Sequence, residues 1–342
     1  MSAFKSIEPA FGRTIDGLTP CMPCAEAIEK SLGGRLRAVD DLIPLAADGA
    51  AGDARIVHRL RVSTRRAAAA IKAFSNELPK KRRRRVQDVL RDIRRAASVA
   101  RSSDVDLAAL RDRYAGAAVD QRPALALIAG MISHERMVAA ASLIDVCNSG
   151  VGKELRKSTI DLLDGVRKKA SSDCSLLLVA ENAVSRQRDR AVKAAQGNLR
   201  DIDQLHQLRI ECKRLRYTIE SIGPCADELN LRAFYDVLVE SQDHFGEVND
   251  AHEFADRVES VRTRLQQPPF EFPESLHASL GAFSDQLGAM SRDAHMAFLR
   301  WWSDATLRQS LGAAEKQPSP PQERANAVKS TGDAPGAKGQ TP

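Results

Sequence analysis

The chain has 342 residues, 51 Lys and Arg against 45 Asp and Glu, a formal net charge of +6, and aromatic residues at only 4%. That length is enough for one large core or two of modest size. The longest apolar run, ALALIAGMI at 124–132, falls short of the ~20 residues that cross a bilayer, and the N-terminus lacks a sustained apolar signal segment. A cytoplasmic protein with no membrane partner is therefore expected.

Ala, Leu, Arg, Glu and Asp dominate, and alternating β-branched runs are scarce, which predicts an all-α fold. Residues 1–22 read as a poorly patterned arm. Ile28, Leu32, Leu36, Val39, Leu42 and Ile43 recur at spacings of mostly three and four and predict an amphipathic helix over about 25–47, ended by the glycine-rich DGAAGD. A second helix is expected from about Ala54 to Leu78, stopped by Pro79, and a third from about Lys80 to Val99. Further helices are expected at about 104–119, 123–147, 150–169, 174–195, 201–222, 227–265 with a break near Gly246, and 275–310. The three prolines of QQPPFEFPE mark an internal loop. From 311 to 342 the composition turns to Pro, Gly, Ser, Lys and Gln without apolar periodicity, as in a disordered tail.

One element occurs twice. VHRLRVSTRR at 57–66 returns as LHQLRIECKRLR at 205–216, and a shift of 148 residues lays His58 on His206, Leu60 on Leu208, Arg61 on Arg209, Arg65 on Lys213, Arg66 on Arg214 and Ile71 on Ile219. The same shift carries Val89–Leu90 onto Val237–Leu238, Arg101 onto Asn249 and Asp104 onto His252. An internal duplication follows, with halves at about 23–170 and 171–310, each expected to form an antiparallel four-helix bundle pseudo-symmetric with the other.

At 100° per residue, His58, Arg61 and Arg65 share one arc of a helix, and His206, Arg209, Lys213 and Arg216 share the matching arc of the other. Like charges so placed repel by a few tenths of a kcal/mol per pair, so something anionic must offset them. For the second copy, some of Glu240, Asp243, Glu247 and Asp250 of the following helix are expected to orient the arginines. The first copy is followed instead by KKRRRR and by Arg91, Arg94, Arg95 and Arg101; between Arg55 and Arg101 there are sixteen Lys and Arg against three Asp and Glu. Its charge is expected to stay uncompensated and, through Arg84, Arg91, Arg94 and Arg95, to be available to a dedicated anion. Guanidinium forks match phosphate oxygens, so a polyphosphate or nucleic-acid backbone is the natural complement. The two histidines, set among cations, suit hydrogen bonding to an anion or a neighbouring helix better than metal ligation.

No phosphate-binding glycine loop, GxGxxG, HExxH or GxSxG occurs, and no enzyme or cofactor is expected. The alternatives are nucleic-acid binding by the same basic face and a metal-dependent phosphohydrolase using Asp243, His244 and Glu247. Cys21 and Cys24 form a CxxC with no second pair at zinc-site spacing, and all six cysteines are expected to be reduced and inert.

The paired motifs, each followed by a polar cluster (ARSSDVD at 100–106 and GEVNDAH at 246–252), resemble the two signature halves of the CHAD family, the conserved histidine α-helical domain, over about residues 23–310. The resemblance implies two helical bundles around a basic channel that holds inorganic polyphosphate, in some members at polyphosphate granules. It implicates His58, Arg61, Arg65 and Arg66, with His206, Arg209, Lys213, Arg214 and Arg216. The first copy departs from the second in carrying Ala68 where Arg216 stands, and Ser102 occupies the place of the family's aspartate.

Overall fold

The computed structural model describes residues 15–49, 53–169, 174–268 and 270–312, and among these the chain is helical, with a single isolated β-bridge between Pro23 and Ser175. Most of the N-terminal arm, part of the DGAAGD loop and the tail beyond Gly312 lie outside the described residues.

Helix α1, Cys24–Gly49, buries Ala27, Ile28, Leu32, Leu36, Val39 and Ile43 on one face, the stripe its periodicity predicts. Helix α2, Ala54–Ala73, starts at Asp53, whose carboxylate accepts from the Arg55 amide at 2.8 Å. It ends earlier than Pro79 alone would dictate, because Phe74 and Leu78 turn into the core. Helix α3, Lys80–Gly116, runs unbroken for 37 residues, about 55 Å at 1.5 Å per residue, through the segment expected to interrupt it. Helix α4, Arg122–Val146, passes through a π turn at Cys147–Val151, where Gly150 takes φ 90°, into α5, Gly152–Lys169. The stretch Arg122–Lys169 contains a window long and apolar enough to cross a membrane by length and composition, of which 28% is buried; Ile128, Ile132 and Leu143 of the stretch pack into protein.

The second half repeats the order. Helix α6 spans Leu176–Ala195 and α7 spans Ile202–Ile222. Asp201 caps α7 through the Asp203 amide at 3.0 Å, 148 positions after the Asp53 that caps α2. A short α8, Cys225–Glu228, precedes α9, Arg232–Leu265, which continues through Gly246 without a break. After the proline loop come α10, Glu274–Asp304, and α11, Thr306–Gly312.

The cores do not divide at the middle of the chain. One apolar cluster joins Leu32, Leu60, Ile71 and Ile93 of the first half to Leu208, Leu215, Leu238 and Phe245 of the second. A smaller one joins Leu110, Leu125 and Ile128 to Phe254, Val258 and Leu280. Helix α2 consequently packs directly against α7, so the two copies of the repeated element are neighbours.

Candidate functional site

The apolar faces of α2 and α7 enter the shared core, Leu60 and Ile71 from one and Leu208 and Leu215 from the other. That seating carries their cationic arcs toward each other. Arg65 lies within electrostatic reach of His58, Arg61 and Arg94 on its own side and of Arg209 and Lys213 across the interface. Arg101 of α3 stands close to His58 and Arg61.

The titration behaviour records this crowding. The Lys213 ammonium is pushed down to about 7, first by burial and then by Arg209, Arg65 and Arg216. Lys72, pushed down to about 8, feels burial, then Arg214 and Arg190. Arg61, Arg94 and Arg209 are lowered in the same way, with burial the leading cause. Burial and then Arg101, Arg61 and Arg65 also lower His58, which is therefore neutral at pH 7. Among the described residues Arg61, Arg65, Arg94, Arg209 and Lys213 form no ion pair within 4 Å, and the buried Nε of Arg209 has no hydrogen-bond partner. Arg61 reaches the Ser98 carbonyl at 3.4 Å. Glu253 offsets part of the charge at Arg61 and Arg209, and Asp250 part of that at Arg209 and Lys213.

Other cations of the same motif are tied down. The buried carboxylate of Glu220 takes Arg66 at 3.4 Å, Arg216 at 3.7 Å and the Tyr235 hydroxyl at 3.2 Å, while buried Arg35 donates to its backbone carbonyl at 2.9 Å. The Arg216 guanidinium also lies over the Tyr217 ring at 4.8 Å. Arg214 is paired with Glu211, which also accepts from Gln187 at 2.6 Å and Gln207 at 2.7 Å. The first copy is thus not wholly uncompensated: Arg66 crosses to a carboxylate of α7. Of the four acids, some of which were expected to orient the second copy, all stand exposed and Asp250 acts on Arg209 and Lys213.

The basic run divides similarly. Arg82 donates to the Asp161 carbonyl at 2.6 Å and Arg83 to the Ser75 carbonyl, so both fasten helices together. Arg84, Arg91 and Arg94 instead line a depression of about 570 Å³ with Ala68, Gln87, Asp88 and Leu90. Arg91 there pairs with Asp88 at 2.9 Å. Arg95 is exposed on α3 and takes part in none of these interactions. His206 Nδ1 lies 3.0 Å from Asn249 Oδ1, a contact to a neighbouring helix of the kind anticipated. His244 stacks on Trp301 with centroids 4.1 Å apart, and Asp243, His244 and Glu247 do not assemble as a ligand set among the described residues.

Sequence reasoning passed over Lys72, Glu220 and Glu253, and named Arg101 only as part of the basic run. The signals were present: Lys72 lies seven residues beyond Arg65 and continues its arc, and Glu220, four residues beyond Arg216, occupies the matching place in α7.

The family model for the CHAD domain matches residues 32–259. Among solved structures, the fold is similar to the CHAD domain from the plant Ricinus communis, with TM-score 0.59, 20% identity, and coverage of 89% of this chain and 96% of that one. It is also similar to PptA from Streptomyces chartreusis, with TM-score 0.57, 18% identity, and coverage of 83% and 100% respectively. Among curated proteins none matches.

Proposed function

Because the chain belongs to the CHAD domain family, we propose that it binds inorganic polyphosphate, without turning it over, through the cations that α2, α3 and α7 bring together. The observation that carries this reading is Arg65, a guanidinium with no ion pair among the described residues that shares its field with Arg61 and Arg94 on one side and with Arg209 and Lys213 on the other. Such a set repels itself when empty and is relieved by a ligand with a negative charge at each short repeat. Phosphoryl oxygens fit, since each can accept charge-assisted hydrogen bonds from guanidinium forks. Arg84, Arg91 and Arg94 around the depression beside Ala68 extend the same cationic surface along α3.

The test is titration with phosphate chains of defined length. Affinity should rise from orthophosphate to long chains, and Arg61→Glu or Arg209→Glu should weaken long-chain binding at least 10- to 100-fold, from the ~1.5–3 kcal/mol of a charged hydrogen bond. Arg308→Glu, remote from the cluster, should leave it unchanged. Equal affinity for orthophosphate and a long chain would overturn the reading. So would stronger competition by RNA than by polyphosphate of matched charge, or orthophosphate release dependent on Mg²⁺ or Mn²⁺.

A further inference from the structure

The isolated bridge between Pro23 and Ser175 brings the starts of α1 and α6 side by side. The Cys24 amide donates to the Cys174 carbonyl at 2.8 Å and the Leu176 amide to the Met22 carbonyl at 2.9 Å. The turn after α2 lies against this junction and contributes Glu77, whose amide is fixed on the Phe74 carbonyl at 3.0 Å. The two thiol sulfurs and a Glu77 carboxylate oxygen all fall within 4.8 Å of one another, and among the described residues this is the one grouping of three such side chains. Cys21, the other half of the CxxC, is exposed and stands outside it.

The geometry points to a thiophilic metal site, of the Zn²⁺ class, formed by Cys24, Cys174 and Glu77 at the junction of α1, α6 and the α2–α3 turn. Among the described residues the Glu77 carboxylate makes no hydrogen bond or ion pair; the nearby Lys169 ammonium is engaged on the Asn76 carbonyl at 2.7 Å. Three groups whose anionic forms oppose one another are what a divalent cation stabilises together. Two sulfurs and one carboxylate suit Zn²⁺ rather than Mg²⁺ or Ca²⁺, with a water for the fourth tetrahedral position. Zinc bonds of about 2.0 to 2.3 Å keep ligand atoms about 3.3 to 3.8 Å apart, so from within 4.8 Å of one another the three groups close up by at most about 1.5 Å. Binding replaces two thiol protons with one ion: Zn²⁺ enters and two H⁺ leave to solvent. None of the cations assigned to polyphosphate takes part, so the site stands or falls independently of that function.

The test begins with full-length protein stripped of metal under reducing conditions and titrated with Zn²⁺ against a chromophoric chelator, with Co²⁺ as a spectroscopic probe. One ion per chain is expected, with a thiolate-to-cobalt charge-transfer band and release of about two protons per Zn²⁺ in weak buffer. Cys24→Ser and Cys174→Ser should each remove the band, and Glu77→Gln should weaken binding by about tenfold or more. Cys21→Ser should bind as the parent does. Cys24 is buried, so Cys174→Ser and Glu77→Gln, both at partly exposed positions, carry the test if Cys24→Ser fails to fold. An absence of zinc binding by the parent, an unchanged band in Cys174→Ser, or loss of binding in Cys21→Ser would overturn the assignment. A Cys24–Cys174 disulfide formed in air and indifferent to zinc would overturn it too.

Discussion

Lys213 is the residue through which solution pH reaches the cationic cluster. Burial and then Arg209, Arg65 and Arg216 push it down to about 7, so its charge changes with pH in the neutral range. Phosphate oxygens favour the ammonium and raise this pKa in the complex, so binding takes up protons above pH 7. Affinity for polyphosphate should be highest below pH 7 and fall as pH rises through 7 to 9, by up to about one log unit per pH unit for this group. Lys213→Arg should flatten the profile, and an unchanged profile would show that the lysine is not at the ligand. The sign for the empty protein is opposite. A lysine whose folded pKa is depressed from 10.5 leaves the folded state binding fewer protons, so this group's contribution to stability grows as pH rises from about 7. The motif was legible in the sequence as an arc of charge, but the fate of each guanidinium was not. Arg66, Arg214 and Arg216 are paired with Glu220 or Glu211, while Arg61 and Arg65, in the same motif, are not. Helical phase separates these groups only when combined with which neighbour each arc faces, and that is a tertiary fact.

Among the helices, the best-read feature was the start of the repeated element. The starts expected at about Ala54 and 201 are found at Ala54 and Ile202, and the structure adds equivalent caps at Asp53 and Asp201. The least legible was the continuity of α3. The Ser and Asp residues of ARSSDVD lower helix propensity, yet Ser98 and Ser103 donate to the carbonyls four residues back at 2.6 and 3.2 Å. Arg136 holds Asp104 at 2.6 Å, and Arg257 is anchored on Glu135 and on Ser103. Tertiary contacts thus outweigh local preference. Gly246 likewise sits in α9 with an ordinary helical backbone. Gly165 of α5 has a different duty. A Cβ there would meet Pro79 Cγ at 2.9 Å and the Arg82 side chain at 2.8 Å, so the glycine lets α5 approach the start of α3, where Arg82 fastens to Asp161. Gly165→Ala should therefore destabilise the fold by about 1–3 kcal/mol, measured by chemical denaturation. Gly116→Ala, with open space around its Cβ, should not.

At the scale of the molecule, the shared core forces the two cationic helices together, so the fold stores repulsion that salt or a ligand relieves. Polyphosphate at about 100 times its Kd should add ~2.7 kcal/mol and raise the midpoint of thermal unfolding by several degrees at low ionic strength. The gain should shrink steeply in high salt as counterion release loses its advantage. A salt-independent shift would contradict electrostatic binding.

The two copies of the repeated element differ in charge. Where the first copy has Ala68, Lys72, Arg101, Ser102 and Val105, the second has Arg216, Glu220, Asn249, Asp250 and Glu253. His58 accordingly faces a guanidinium while His206 faces an amide. Under the proposed function, a polymer that reads the same from either end would meet a set of cations that does not. Its densest grip would fall off-centre, toward the α2–α3 side, and the α7–α9 side would form the looser lip from which it peels away first.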